Sequence, residues 1–163
     1  MVFKYNVYFF TNMIKYYRII IDFLEDIMKL TRSEAREKIM IILYQIDFYI
    51  KEGIEYNVES VIKENLEIDN KFVRDIVYGV VDNCESIDGT INKYLEDWNL
   101  DRLGKTDKAI LRIGTFEMLH YNTPNIVAIN EAIELAKKYS DDKVVKLINA
   151  TLDKIRDNEV ISE

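Results

Sequence analysis

The chain has 163 residues, a net charge of -7 and a pI near 4.9, which allows one domain with its own core, leaves too little chain for two, and excludes a protein that coats nucleic acid by bulk electrostatics, though not one with a small basic face. Hydrophobic residues at 48% and charged residues at 31% exclude a disordered chain. With 5 Gly, 1 Pro, Cys84 as the only cysteine and His120 as the only histidine, the sequence argues against Gly-rich phosphate loops, an intrachain disulfide, a Cys/His zinc site and a Ser-His or Cys-His relay.

Residues 1–27 are rich in Phe, Tyr and Ile, but Lys15 and Arg18 break the apolar run, so neither a transmembrane span nor a secretory signal is expected. Leu24-Glu25-Asp26 can be encoded as TTG GAG GAT, which carries a purine-rich ribosome-binding sequence just ahead of the Met28 codon. The extension therefore reads as upstream sequence, with translation starting at Met28. The alternative reading is an extra amphipathic helix using Ile14, Tyr17, Ile21 and Leu24.

After Met28 the stretch "MKLTRSEAR" gathers Lys29, Arg32 and Arg36, and Thr31-Arg32-Ser33-Glu34 has the form of a capping box. A helix is predicted from Thr31 to near Gly53, with Ala35, Ile39, Ile42, Leu43 and Ile46 inward and with Arg32 and Arg36 sharing a face at four-residue spacing. A short helix follows over Val58 to Leu66. Asp69 is the predicted N-cap of the next stretch, in which Phe72, Ile76, Val80, Ile87, Ile91 and Leu95 keep helical spacing. Gly79 there reads as a point of close helix approach and Gly89 as a break or bend.

Thr106-Asp107 opens a helix whose apolar residues, Ala109 to Leu119, surround most of its circumference, as a central helix requires. Thr123-Pro124 starts the next, and Ser140-Asp141-Asp142 the last, with Val144, Ile148, Leu152 and Ile155 on one stripe. Cys84 and His120 read as packing residues, and the compartment as reducing cytoplasm. The expected architecture is an all-α, compact bundle of about six or seven helices over residues 28–158, with a short tail at 159–163.

The segments "SEAREKIMIILYQ", "FVRDIVYGVV", "LDRLGKTDKAILRIGTFEML", "NIVAINEAIELAKKYS" and "KLINATLDKI", in that order and spacing, strongly resemble the NusB family of transcription antitermination factors from about Leu30 to Asp157. The resemblance implies an all-α bundle without enzymatic activity, cofactor or metal. It further implies binding of the boxA element of ribosomal RNA leader transcripts together with the small-subunit ribosomal protein NusE, in support of read-through by RNA polymerase. An acidic surface suits a basic ribosomal partner. On the matching positions it implies RNA contacts from Arg32 and Arg36, with Lys29 as accessory, and from Lys143, Lys146 and Leu147 at the last helix, where Asn149 is followed by Ala150 in place of glycine. Leu147 stands where the family commonly carries an aromatic residue, and so removes a face on which a base could stack. Partner contacts fall on Tyr44, Asp107 and Lys108, and homodimerisation is left open.

Other readings of the same residues stand beside these. Arg32 and Arg36 as solvated charges, Arg36 pairing with nearby acids; Tyr44 as a core edge; and Asn130-Glu131 as a source of interhelical hydrogen bonds are each compatible with the pattern. The competing functions are a protein-only helical module and a stand-alone relative of the NusB-like domain of ribosomal RNA methyltransferases.

Overall fold

The computed structural model describes residues 13–24 and 29–160. The chain divides into two units, Met1–Thr31 and Arg32–Glu163. In the first, residues 13–24 form helix α1, whose side chains are exposed throughout, Ile14, Tyr17, Ile21 and Leu24 included. The expected start at Met28 lies outside the described residues, as do residues 161–163 of the tail.

Every element among the described residues of the second unit is helical: α2 (Arg32–Glu52), α3 (Val58–Asn65), α4 (Lys71–Asp82), α5 (Cys84–Tyr94), a 3-10 turn (Leu100–Arg102), α6 (Lys105–His120), α7 (Asn125–Tyr139) and α8 (Asp142–Glu159). Among the described residues the bundle holds seven α-helices and one 3-10 turn, 8 helical elements against the six or seven expected, and α1 lies before it in the chain.

Several boundaries have a local cause, while α6 starts at Lys105 after Gly104, one residue ahead of the expected Thr106-Asp107 and without a side-chain cap. Helix α2 begins directly after Thr31 and stops at Gly53, whose φ of 66° is the left-handed conformation that ends helices at low cost in glycine. Helix α3 is capped by Asn57, which accepts from the Ser60 amide at 3.0 Å. Asn70, not Asp69, caps α4 by accepting from the Val73 amide at 3.2 Å; the Asp69 carboxylate is taken instead by the Arg74 guanidinium. The predicted break at Gly89 occurs earlier, at Asn83, where the Asn83 amide and side chain both donate to the Gly79 carbonyl. Gly89 stays helical inside α5, at a point where a Cβ would meet open space. Asp141 caps α8, accepting from the Lys143 and Val144 amides at 2.9 Å each.

Helix α6 is the axle of the domain. It packs against α2, α4, α5, α7 and α8, and every residue from Ala109 to Met118 is buried, the all-round burial its sequence predicted. Side chains such as Ile110 and Leu111 are fully enclosed, a burial worth about 1.5–3 kcal/mol each. Gly79 allows α4 to approach so closely that an added Cβ would lie 2.0 Å from the Phe116 ring. His120, expected among packing residues, is exposed with its ring 5.5 Å from that of Phe116. Cys84 is half-buried, and burial pushes its thiol up.

Two ion-pair clusters, each centred on a buried side chain of α6, tie α2, α5 and α7 to that helix. Near its carboxyl end, Glu117 is fully buried and receives two hydrogen bonds from Arg36 of α2, both at 2.8 Å. The Thr123 hydroxyl adds a third at 2.8 Å, and Glu131 of α7 accepts from Arg36 at 3.2 Å. Nearer its amino end, Arg112 donates to Asp88 of α5 at 2.7 and 2.6 Å and to Asp47 of α2 at 3.2 Å. Bidentate pairs of this kind leave no buried donor or acceptor exposed to an apolar wall, which is what makes the charges tolerable there. Asn130-Glu131 thus includes an interhelical tether, one of the readings its sequence allowed.

Candidate nucleic-acid interface

The first turn of α2 does not present its two arginines to one solvent face. Arg32 is exposed, with its guanidinium carbon 4.0 Å above the Phe72 ring of α4 and no carboxylate paired with it among the described residues. Arg36, expected beside it as an RNA contact, is only 4% exposed. Its guanidinium is committed to Glu117 and Glu131, so the structure gives it the role of holding the turn that carries Arg32. Lys29 is exposed in the preceding unit. Phe72, which supports Arg32 by a cation–π contact, was read from the sequence only as core.

The start of α8 offers a second cationic site. Lys143 and Lys146 are exposed, and Leu147 is half-buried. With Val144 they form one wall of a groove whose other wall is Trp98, from the turn after α5. The Lys143 ammonium lies 5.4 Å from the centre of the indole. Trp98 did not emerge from the sequence as a site residue, although a lone tryptophan in the polar run "LEDWNLDR" carried a signal that it sits on a surface turn.

The positions nominated for a protein partner are spread over the α2–α6 face. Tyr44 is 43% exposed and belongs to a small aromatic surface with Phe48, over both of which Lys105 lies, at 5.6 and 4.7 Å. Lys108 is largely buried between Asp47 and Asp101, at 3.8 and 3.6 Å. Asp107 accepts from the Ser140 hydroxyl and so links the start of α6 to the α7–α8 turn. Phe48 and Lys105 escaped the sequence reading because their exposure depends on how α2 crosses α6.

No helix among the described residues is long and apolar enough to cross a membrane. No group of three or more His, Cys, Asp or Glu side chains among them is placed to hold a metal ion.

A helical bundle braced by buried ion pairs, with cations beside aromatic rings at the starts of three helices, defines an all-α binding domain. The chain belongs to the NusB family, a non-enzymatic family of transcription antitermination proteins, whose model matches residues 33–157. It is 41% identical over 128 residues to the transcription antitermination protein NusB of Staphylococcus haemolyticus, an alignment that covers 78% of this chain and 100% of that protein. The Staphylococcus epidermidis NusB is 39% identical over 133 residues, covering 78% of this chain and 100% of the relative. Among solved structures, T. maritima NusB superposes with a TM-score of 0.73 at 32% identity, covering 82% of this chain and 95% of that one. A chain from a complex of the antitermination factors NusB and NusE with double-stranded RNA matches with a TM-score of 0.66 at 28% identity, covering 77% and 96%.

Proposed function

We propose that this chain, working in the cytoplasm, binds the boxA RNA of ribosomal RNA leader transcripts together with a NusE-like ribosomal protein of the small subunit, and thereby supports read-through by RNA polymerase. The observation that carries this reading is the pairing of a family match over residues 33–157 with cations that no carboxylate among the described residues takes, Arg32 at the start of α2 and Lys143 and Lys146 at the start of α8. In an acidic protein such cations are the places where a phosphate chain gains most. Arg32 and Lys143 touch RNA, with Lys29 and Lys146 as accessory charges and Leu147 as an apolar contact; Arg36 acts through the position of Arg32. The known complex of a relative with NusE and RNA supports the same pairing of partners here.

The ribosomal protein docks on the α2–α6 face. Tyr44 is its exposed centre, extended by Phe48 and Lys105, while Asp107 and Lys108 fix the start of α6 beneath it. A homodimer burying the same face would compete with that partner.

Titrating a boxA-containing RNA against residues 28–163, with and without the NusE-like protein and over a salt series, tests the proposal. Binding is expected to tighten with the partner and weaken with salt. Arg32→Ala should lower affinity and reduce the slope of log affinity against log salt by about 0.7 for each single-strand phosphate that the arginine no longer neutralises. A folded protein that binds no RNA in either condition would leave the protein-only module as the better reading.

Residues 1–27 lie outside this functional domain, and Met28 is its translational start; relatives matched over their full length align with 78% of this chain. The natively expressed protein should therefore have an intact mass that begins at Met28. A mass that includes residues 1–27 would overturn that assignment.

A further inference from the structure

Trp98 is the only tryptophan in the chain and is 37% exposed. Its turn is tightly built. Leu95 and Leu100 are buried on either side of it, the Asn92 side chain accepts from the Leu100 amide at 2.9 Å, and Asn99 accepts from the Asp101 amide at 2.8 Å. Glu96 pairs with Lys154 of α8, and Asp97 holds a left-handed φ of 58°, a conformation that Asp tolerates better than most residues. The chain between two buried leucines is thus turned outward at Trp98, and the indole is presented instead of being drawn into the core.

Opposite the indole stand Lys143, Val144, Lys146 and Leu147, which line with it an open groove of about 240 Å³. Its floor is apolar and its rim cationic. The two lysines have no carboxylate partner among the described residues, whereas Lys63, Lys71, Lys93, Lys137, Lys138 and Lys154 are each taken by one. Of the two acids just before them, Asp141 is committed to capping α8, and Asp142, the first residue of α8, forms no ion pair with either lysine. A flat aromatic wall beside two free cations one helical turn apart matches a planar base joined to phosphates. A basic protein segment would be repelled by the lysines, and paired bases would hide their faces in their own stack.

We propose that Trp98 is a stacking platform for an unpaired RNA base, which enters between the indole and Leu147 while Lys143 and Lys146 take the flanking phosphates. The inference deepens the RNA-binding reading above and rests on it. Lys143, now resting over the ring, exchanges the indole for a phosphate. The aromatic face absent at Leu147 is supplied from across the groove by the turn after α5.

Because the indole is unique, its emission reports this groove directly. A single-stranded boxA-containing RNA is titrated into the full chain, alone and with the NusE-like protein already bound, while tryptophan emission is followed together with the anisotropy of a dye on the RNA. Quenching of Trp98 in step with RNA binding is expected. Trp98→Leu should weaken RNA binding about 5- to 150-fold, the range found on removing one stacked base, and Trp98→Phe should restore most of it. RNA that binds by anisotropy without quenching, and equally well to Trp98→Leu, would overturn the platform and leave the RNA-binding reading standing. Absence of RNA binding to the unaltered chain in both conditions would overturn both. Quenching by the protein partner alone, with no further change on adding RNA, would also overturn the platform and place a protein contact in the groove.

Discussion

Arg36→Ala is expected to destabilise the domain by about 3–5 kcal/mol. Glu117 is 0% exposed on α6 and loses both of its bidentate hydrogen bonds when the guanidinium goes, keeping only the Thr123 hydroxyl. A carboxylate without a counter-charge in that position is among the costliest changes a small core can suffer. Denaturant unfolding measures the destabilisation directly, and the melting temperature should fall by on the order of 10 °C. Replacing the pair together, Arg36→Met with Glu117→Leu, should recover much of the stability because no unpaired charge remains. The result bears on function: weak RNA binding by Arg36→Ala is to be read as displacement of the α2 turn. Arg32→Ala, which touches no buried charge, isolates the contact itself. An Arg36→Ala protein as stable as its parent yet deficient in RNA binding would show that Arg36 reaches RNA directly.

Gly79→Ala should cost about 1–3 kcal/mol through overpacking. The added methyl would meet three Phe116 ring atoms at 2.0, 2.5 and 2.7 Å. That ring has little room to swing, because it is 6% exposed and lies 5.5 Å from the His120 ring and 6.5 Å from the Tyr121 ring. Alanine returns up to about 1 kcal/mol of helix propensity in α4, which softens the effect without reversing it. Pairing the substitution with Phe116→Leu opens space for the methyl, so the double variant should be more stable than the sum of the single effects requires. Simple additivity in that cycle would mean that α4 and α6 do not meet through this contact.

The features that were legible in the sequence are those encoded within one or two turns. The stripe of Ile39, Ile42, Leu43 and Ile46 is buried as its spacing requires, the Asp141 cap opens α8, and the all-round apolar character of "AILRIGTFEM" did mark the central helix. The sequence misled where a local cue was overruled at a distance. Arg36 has the same i,i+4 relation to Arg32 that a shared surface would show, but its acceptor lies 81 residues away on α6. The one local hint was Glu117 itself, a carboxylate in an apolar run that needed a partner from elsewhere. Gly89 drew attention as a breaker, yet the chain turned at Asn83, whose side chain donates to a carbonyl in the last turn of α4. At the candidate interface the cations could be nominated one by one, but the groove at Lys143 depends on a turn some 45 residues earlier in the chain (143 − 98), which no periodicity connects to it.

The ten-residue burial of α6 from Ala109 to Met118 also divides the molecule by labour. The helix that touches most of its neighbours has only its ends to offer a ligand, so recognition is delegated to the elements around it: the start of α2, the turn at Trp98, the start of α8 and the outer face of α2. Each of these can exchange surface residues without disturbing the axle, and the axle can be held nearly constant while the surfaces drift. A domain arranged in this way can retune its preference for an RNA or a protein one patch at a time, keeping a single frame through every change of partner.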